Sequence, residues 1–158
     1  MTISIIGIGQ SLRSDDGAGL AAVRAWMAAY PGTASDPRLQ VELVELPGLA
    51  LLDLLADSQA AIITDVVHSN AAPGTLHRLK MDDLAGFQPG SGSSHGWGVA
   101  ETLQLGQLID PDSIPEKIIL LGIEAGDLDL GERLSEAVQT ALPAVVQQIE
   151  AQVRGWLD

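Results

Sequence analysis

The stretch Ile5-Ile6-Gly7-Ile8-Gly9-Gln10-Ser11-Leu12-Arg13-Ser14-Asp15-Asp16-Gly17 decides the fold. Its β-branched opening, which begins at Thr2, reads as a strand covered on both faces, as in a parallel sheet. Two glycines lead out into a turn. Leu20, Val23, Trp26, Met27 and Tyr30 then recur at helical spacing and give the next segment one apolar face. A strand that turns straight into a helix is the start of a βα unit, and in open α/β sheets ligands sit beyond the carboxyl ends of the strands. The turn is therefore a candidate site. A helix N-terminus attracts phosphate, but here Asp15 and Asp16 already stand there, and a phosphate would meet two like charges. The turn suits a cation, or an acid that does chemistry. Ser14 or Asp15 is the expected helix cap, with Asp15 the plainer one.

The rest of the chain repeats this alternation. Gln40 to Leu46 reads as a second strand, and Leu49 to Ala56 as a short helix after the Pro47-Gly48 break. Ala60 to Val67 is a third, buried strand with one acid, Asp65, near its far end. Asn70 to Gly74 forms a turn, and Thr75 to Lys80 a more polar strand suited to a sheet edge. Gln88 to Gly98 is a Gly/Ser-rich loop containing His95, Val99 to Ile109 a helix, and Lys117 to Ile123 an apolar strand ending in Glu124. After an acidic loop, Ser135 to Trp156 is the last helix, which Pro143 should kink. The expected fold is a single α/β domain over residues 1–158, a three-layer sandwich of about five mostly parallel strands with helices on both faces.

Composition narrows the function. With 158 residues and 46% hydrophobic content the chain can fill one core, although aromatics are only 3% and aliphatic side chains must do it. A net charge of -13 repels nucleic acid and anionic membrane, so neither is expected as a partner. Cations or a basic peptide segment fit better. The lack of cysteine removes disulfides, thiolate metal sites and cysteine nucleophiles. No basic segment precedes the first apolar run and no run nears the ~20 residues of a membrane span, so a cytoplasmic protein is expected.

Three residues carry the chemistry. Asp16 lies just past strand one, Asp65 at the end of strand three, and His95 in the loop before a helix. If strands one and three are neighbours, their carboxyl ends converge, and a loop closing over that edge can deliver His95. Two carboxylates and an imidazole form an N,O set suited to a divalent transition metal with open positions; the set is compatible with nickel without requiring it. Burying Asp65 without a partner is costly, which favours a functional role. His68 and His77 read as surface residues, with His68 also a possible neighbour of the ligands through Asp65-x-x-His68. Two motif matches mislead. Gly7-x-Gly9-x-x-Leu12 lacks the third glycine of a dinucleotide fingerprint. Gly92-Ser93-Ser94-His95-Gly96 satisfies G-x-S-x-G but follows a Pro/Gly loop rather than a strand, and no histidine comes after His95 to complete a triad.

The combination resembles the nickel-iron hydrogenase maturation endopeptidases. Gly7 to Gly19 is similar to that family's opening signature, Ile62-Ile63-Thr64-Asp65 to the strand with its second acid, and Ala72-Pro73-Gly74-Thr75 to the turn that follows. Ser94-His95-x-x-Gly98-x-Ala100-x-x-Leu103 resembles its histidine segment, and Leu121-Gly122-Ile123-Glu124 its last strand. The resemblance implies that Asp16, Asp65 and His95 are the metal-binding and catalytic residues, Asp16 being shorter than the glutamate some relatives carry there. Gln10 stands where asparagine is usual, and Glu45 where an aspartate is common. The implied reaction removes a C-terminal extension from the precursor of a nickel-iron hydrogenase large subunit, with nickel supplied by the substrate, by either an aspartic-type or a metal-assisted route. The alternatives are a non-enzymatic metal chaperone, with the same ligands but no proteolysis, and a nucleotide-binding α/β module.

Overall fold

A computed structural model describes residues 1–10, 14–45, 47–86, 98–126 and 133–158. The strands are β1 (Ile3–Gly9), β2 (Leu39–Glu45), β3 (Ala60–Val67), β4 (Leu76–Lys80) and β5 (Lys117–Glu124). They form one sheet in the order β2-β1-β3-β5-β4. All neighbours are parallel except β4, which runs antiparallel to β5 at the edge. The helices are α1 (Ala18–Ala29), α2 (Pro31–Ala34), α3 (Ala50–Leu55), α4 (Val99–Ile109) and α5 (Glu136–Leu157). The expected three-layer α/β sandwich is thus the observed one. Among the described residues, no helix is long and apolar enough to cross a membrane.

The two faces of the sheet follow from side-chain alternation. Ile3, Ile5, Ala60, Ile62, Leu121 and Ile123 point to one side, where they pack with Val23 and Trp26 of α1 and Val145, Ile149 and Val153 of α5. Ile6, Ile8, Ala61, Ile63, Ile118 and Leu120 point to the other and pack with Leu51 and Leu55 of α3 and Val99 and Leu103 of α4. β1 and β3 are buried along their whole length, as central parallel strands covered by helices on both faces must be. α5 runs through Pro143 as one continuous helix.

Two glycines bring the first turn down onto the strands. A Cβ on Gly19 would lie 2.3 Å from both the Ile8 and the Thr64 carbonyl oxygens, so α1 starts in direct contact with the β1 and β3 backbones. A Cβ on Gly9 would lie 2.3 Å from the Asp16 carbonyl oxygen. That oxygen accepts from the Gln10 amide at 2.9 Å. The end of β1 and the Asp16 backbone are therefore locked together.

One buried acid ties the helical layer. The Glu150 carboxylate accepts from Trp26 Nε1 at 2.9 Å, Thr33 Oγ1 at 2.9 Å and Arg154 Nε at 2.8 Å, joining α1, α2 and α5. Burial pushes its pKa up, but the bonds from Arg154, Trp26 and Thr33 outweigh burial and hold it below the ordinary value of 4.5. A lowered carboxyl pKa contributes stability above the unfolded value and loses it as pH falls through the folded one. Glu150→Gln is therefore expected to lower the unfolding free energy by about 1–3 kcal/mol at pH 7. In urea titrations that deficit should shrink below about pH 4.5; a deficit that does not change with pH would contradict this account of the knot.

Candidate active site

The acids chosen from the sequence sit at the carboxyl edge of neighbouring strands. Ser14–Gly17 forms a 3-10 turn between β1 and α1 whose four residues are all buried. Asp16 is 0% exposed, and Asp65, on the last stretch of β3, is 1% exposed. β1 and β3 pair in parallel up to Gly7 opposite Thr64, so Asp65 follows directly after the last β3 residue paired with β1, while it still pairs with Gly122 of β5. Asp65 Oδ1 accepts from the Val66 amide at 2.8 Å, which fixes the carboxylate against its own strand. By alternation Asp65 shares the side of Ala61 and Ile63, the side that α4 covers. Gly106 of α4 is pressed against Leu52 and Ile114. Ile114 stands just before β5 begins at Lys117, so α4 descends toward the amino edge and its start lies toward the carboxyl edge. His95 precedes that start in sequence but lies outside the described residues.

The structure corrects the role expected for Asp15. The N-cap of α1 is Gly17, with no side-chain bond, so neither Ser14 nor Asp15 caps it. Asp15 is 0% exposed. Its carboxylate accepts from the Gly126 amide at 2.7 Å, the Ser135 amide at 2.7 Å and Ser135 Oγ at 2.8 Å. Ser135 in turn caps α5, its hydroxyl accepting from the Val138 amide. A buried carboxylate must find donors, and it finds them on the far side of the chain rather than in its own helix. Ser14 adds a hydrogen bond from its hydroxyl to the Arg133 carbonyl and holds a left-handed φ of 52°. The turn before Asp16 is thereby bolted to the exit of β5 and the entry of α5.

His68 and His77 are not simple surface residues. The His77 side chain is 21% exposed, and its Nε2 lies 3.1 Å from Glu124 Oε1. Glu124, 3% exposed at the end of β5, also accepts from the Ser69 hydroxyl at 2.5 Å and the Ser69 amide at 2.8 Å. Burial raises the pKa of Glu124, and the bonds from Ser69 and His77 outweigh it and bring the carboxyl below its ordinary value. Ser69 and His77 share one glutamate oxygen, so the group is a clasp holding the turn after β3 and not a serine triad, which needs base and acid on opposite ring nitrogens. His68, one residue before the clasp, has Nε2 at 4.0 Å from Asp16 Oδ1. Spacing offered His68 as a neighbour of the ligands, but it could not reveal the Glu124 clasp, which joins segments distant in the chain.

Among the described residues, no three metal-ligating side chains are already assembled into a metal cage. The cavity of about 390 Å³ lined by Arg78, Lys80, Lys117 and Trp156 lies at the amino end of β5, away from these acids. Its cations suit the blunting of an edge strand. The candidate site is therefore the carboxyl edge, where buried carboxylates can act as ligands or as proton carriers. If Asp15 is the bolt of that edge, Asp15→Ala should cost about 2–4 kcal/mol in chemical denaturation; wild-type stability in this variant would show that the turn is held by other means.

Comparison with known proteins agrees with this architecture. The hydrogenase maturation protease family model matches residues 34–152, a stretch that includes Asp65 and begins after Asp16. The hydrogenase expression/formation protein HupD of Rhizobium leguminosarum bv. viciae is 28% identical over 158 residues, 98% of this chain and 75% of that protein. The hydrogenase 2 maturation protease of Escherichia coli (strain K12) is 26% identical over 160 residues, 98% of this chain and 92% of that one. Among solved structures, the [NiFe] hydrogenase maturation protease HybD from Thermococcus kodakarensis matches with a TM-score of 0.72 at 25% identity, over 97% of this chain and 99% of that one. The hydrogenase maturating endopeptidase HybD from E. coli shares the fold at a TM-score of 0.78 and 24% identity, over 98% and 93% of the two chains. With the family matched over most of its length, the chain belongs to the hydrogenase maturation proteases.

Proposed function

We propose that the chain is an endopeptidase that removes the C-terminal extension from a nickel-loaded precursor of a hydrogenase large subunit, in the cytoplasm. One observation carries this reading. In a chain of this family, both acids singled out from the sequence are withdrawn from water at the carboxyl edge of adjacent parallel strands, Asp16 at 0% and Asp65 at 1% exposure. Carboxylates are costly to bury, and acids kept buried at such an edge are candidates for a reaction.

The nickel is cargo of the substrate, held by the precursor's cysteines. Asp16, Asp65 and His95 meet it with two oxygens and one nitrogen, a donor set that suits a divalent transition metal. The metal then serves as a sign of maturity, and the extension is cut only after insertion. With part of the coordination supplied by the substrate, the protein alone holds nickel weakly. Cleavage needs a proton taken from the attacking water and one delivered to the leaving amine. Either the two carboxylates divide that work, as in aspartic proteases, or the metal polarises the scissile carbonyl. The acidic surface, net charge -13, suits a cleavage site with a basic residue.

Incubated with the purified protein, nickel-loaded precursor should shorten on a gel and nickel-free precursor should not. Asp65→Asn should slow processing by about 100-fold or more. His95→Ala should abolish it without changing the circular dichroism of the fold, whereas Asp16→Glu, which alters reach but not charge, should still process. Equal cleavage of both precursor forms, or full activity in the His95→Ala variant, would contradict the proposal.

A further inference from the structure

The site described so far leaves out an imidazole that the fold holds beside it. His68 is the first residue after β3, and its Nε2 lies 4.0 Å from Asp16 Oδ1. That separation is too long for a hydrogen bond. The nitrogen is nevertheless buried, and it has no hydrogen-bond partner among the described residues. The rest of the side chain is 27% exposed, so the ring stands at the rim with its Nε2 turned inward. Its backbone is not free to wander. Val67 before it is paired with Glu124 across the sheet, and Ser69 after it is clasped twice by the Glu124 carboxylate. Asn70 then turns the chain away with a φ of 66°, a conformation asparagine tolerates well.

A fixed, buried nitrogen with an unmet lone pair or N–H is unfavourable in the resting protein. It becomes favourable when something enters the site and bonds to it. Two donors of one divalent cation, each about 2.0–2.1 Å from it, can stand up to about 4 Å apart. The Asp16 oxygen and the His68 nitrogen therefore need little movement to share one ion. We infer that His68 is a further metal-recognition residue, whose Nε2 meets the same divalent cation as Asp16. The inference rests on the proposed reading of the site and adds a residue to it. The competing role is structural: His68 would steady the Asp16 carboxylate as a charge partner and touch no metal.

The two roles separate in a titration of ¹⁵N-labelled wild-type protein with Zn²⁺, a diamagnetic probe, followed through the ring nitrogens of its three histidines. The inference predicts that His68 Nε2 shifts strongly on zinc addition, while His77, already engaged by Glu124, does not. A His68 ring that stays unmoved up to millimolar zinc overturns it. In processing assays His68→Ala should raise KM by about tenfold to a hundredfold with kcat little changed. His68→Gln keeps a polar group near Asp16 but supplies a poorer donor, and should not rescue. Rescue by glutamine, or wild-type kinetics in both variants, assigns His68 the structural role and overturns the inference. Because the zinc readout is made on the intact protein without precursor, it stands apart from the proposed reaction. A wild-type protein that binds zinc through His68 but cleaves no precursor refutes the protease reading alone.

Discussion

The Asp15 carboxylate, sealed from water and bonded to Gly126 and Ser135, is the constraint on which the site depends. It spans 111 residues to Gly126 and 120 to Ser135, so it closes the fold by joining the first turn to the last strand and the last helix. Gly9 and Gly19 complete the arrangement by letting that turn lie directly on β1 and β3. Asp16 follows Asp15 in the chain and inherits its rigidity. One acid is thus used up in structure while its neighbour is held buried at the candidate site; in the proposed function the sequence Asp15-Asp16 divides the two tasks between adjacent positions.

The opposite side of the edge is built by the same means. Glu124 at the end of β5 grips Ser69 and His77, and so fixes the turn that leaves β3. Asp65 stands before that turn and His68 at its start. Two buried acids, Asp15 and Glu124, therefore bracket the carboxyl edge, each spending its charge on donors from another element. Both lysines lie elsewhere, lining the cavity at the amino end of β5.

The fold was legible because its signals are local. The runs Ile3–Gly9 and Ala60–Val67, rich in β-branched residues and nearly free of charge, read as central strands, and the helical spacing after the first marks the start of a βα unit. The polar Leu76–Lys80 read correctly as an edge, but its antiparallel direction depends on pairing with β5 and leaves no mark in the residues themselves. Asp16 and Asp65 were legible for a similar reason: an acid beside a buried strand end demands an explanation. Asp15 was misread as a helix cap because capping is a local signal, whereas its real partners lie in distant segments. His77 was misread as a surface residue for the same reason, whereas His68, read as a surface residue or a neighbour of the ligands, lies beside Asp16; what each touches is decided by strand order. His95 was chosen from its loop and from the family resemblance, and it lies outside the described residues.

The central claim is that side chains of this protein bind directly to nickel already carried by the precursor. The most direct test is the X-ray absorption spectrum of nickel in the loaded precursor, recorded alone and in a rapidly frozen mixture with this protein. The account predicts that oxygen and nitrogen scatterers join the sulfur shell when the two proteins meet. A nickel environment that is the same with and without the protein would contradict it.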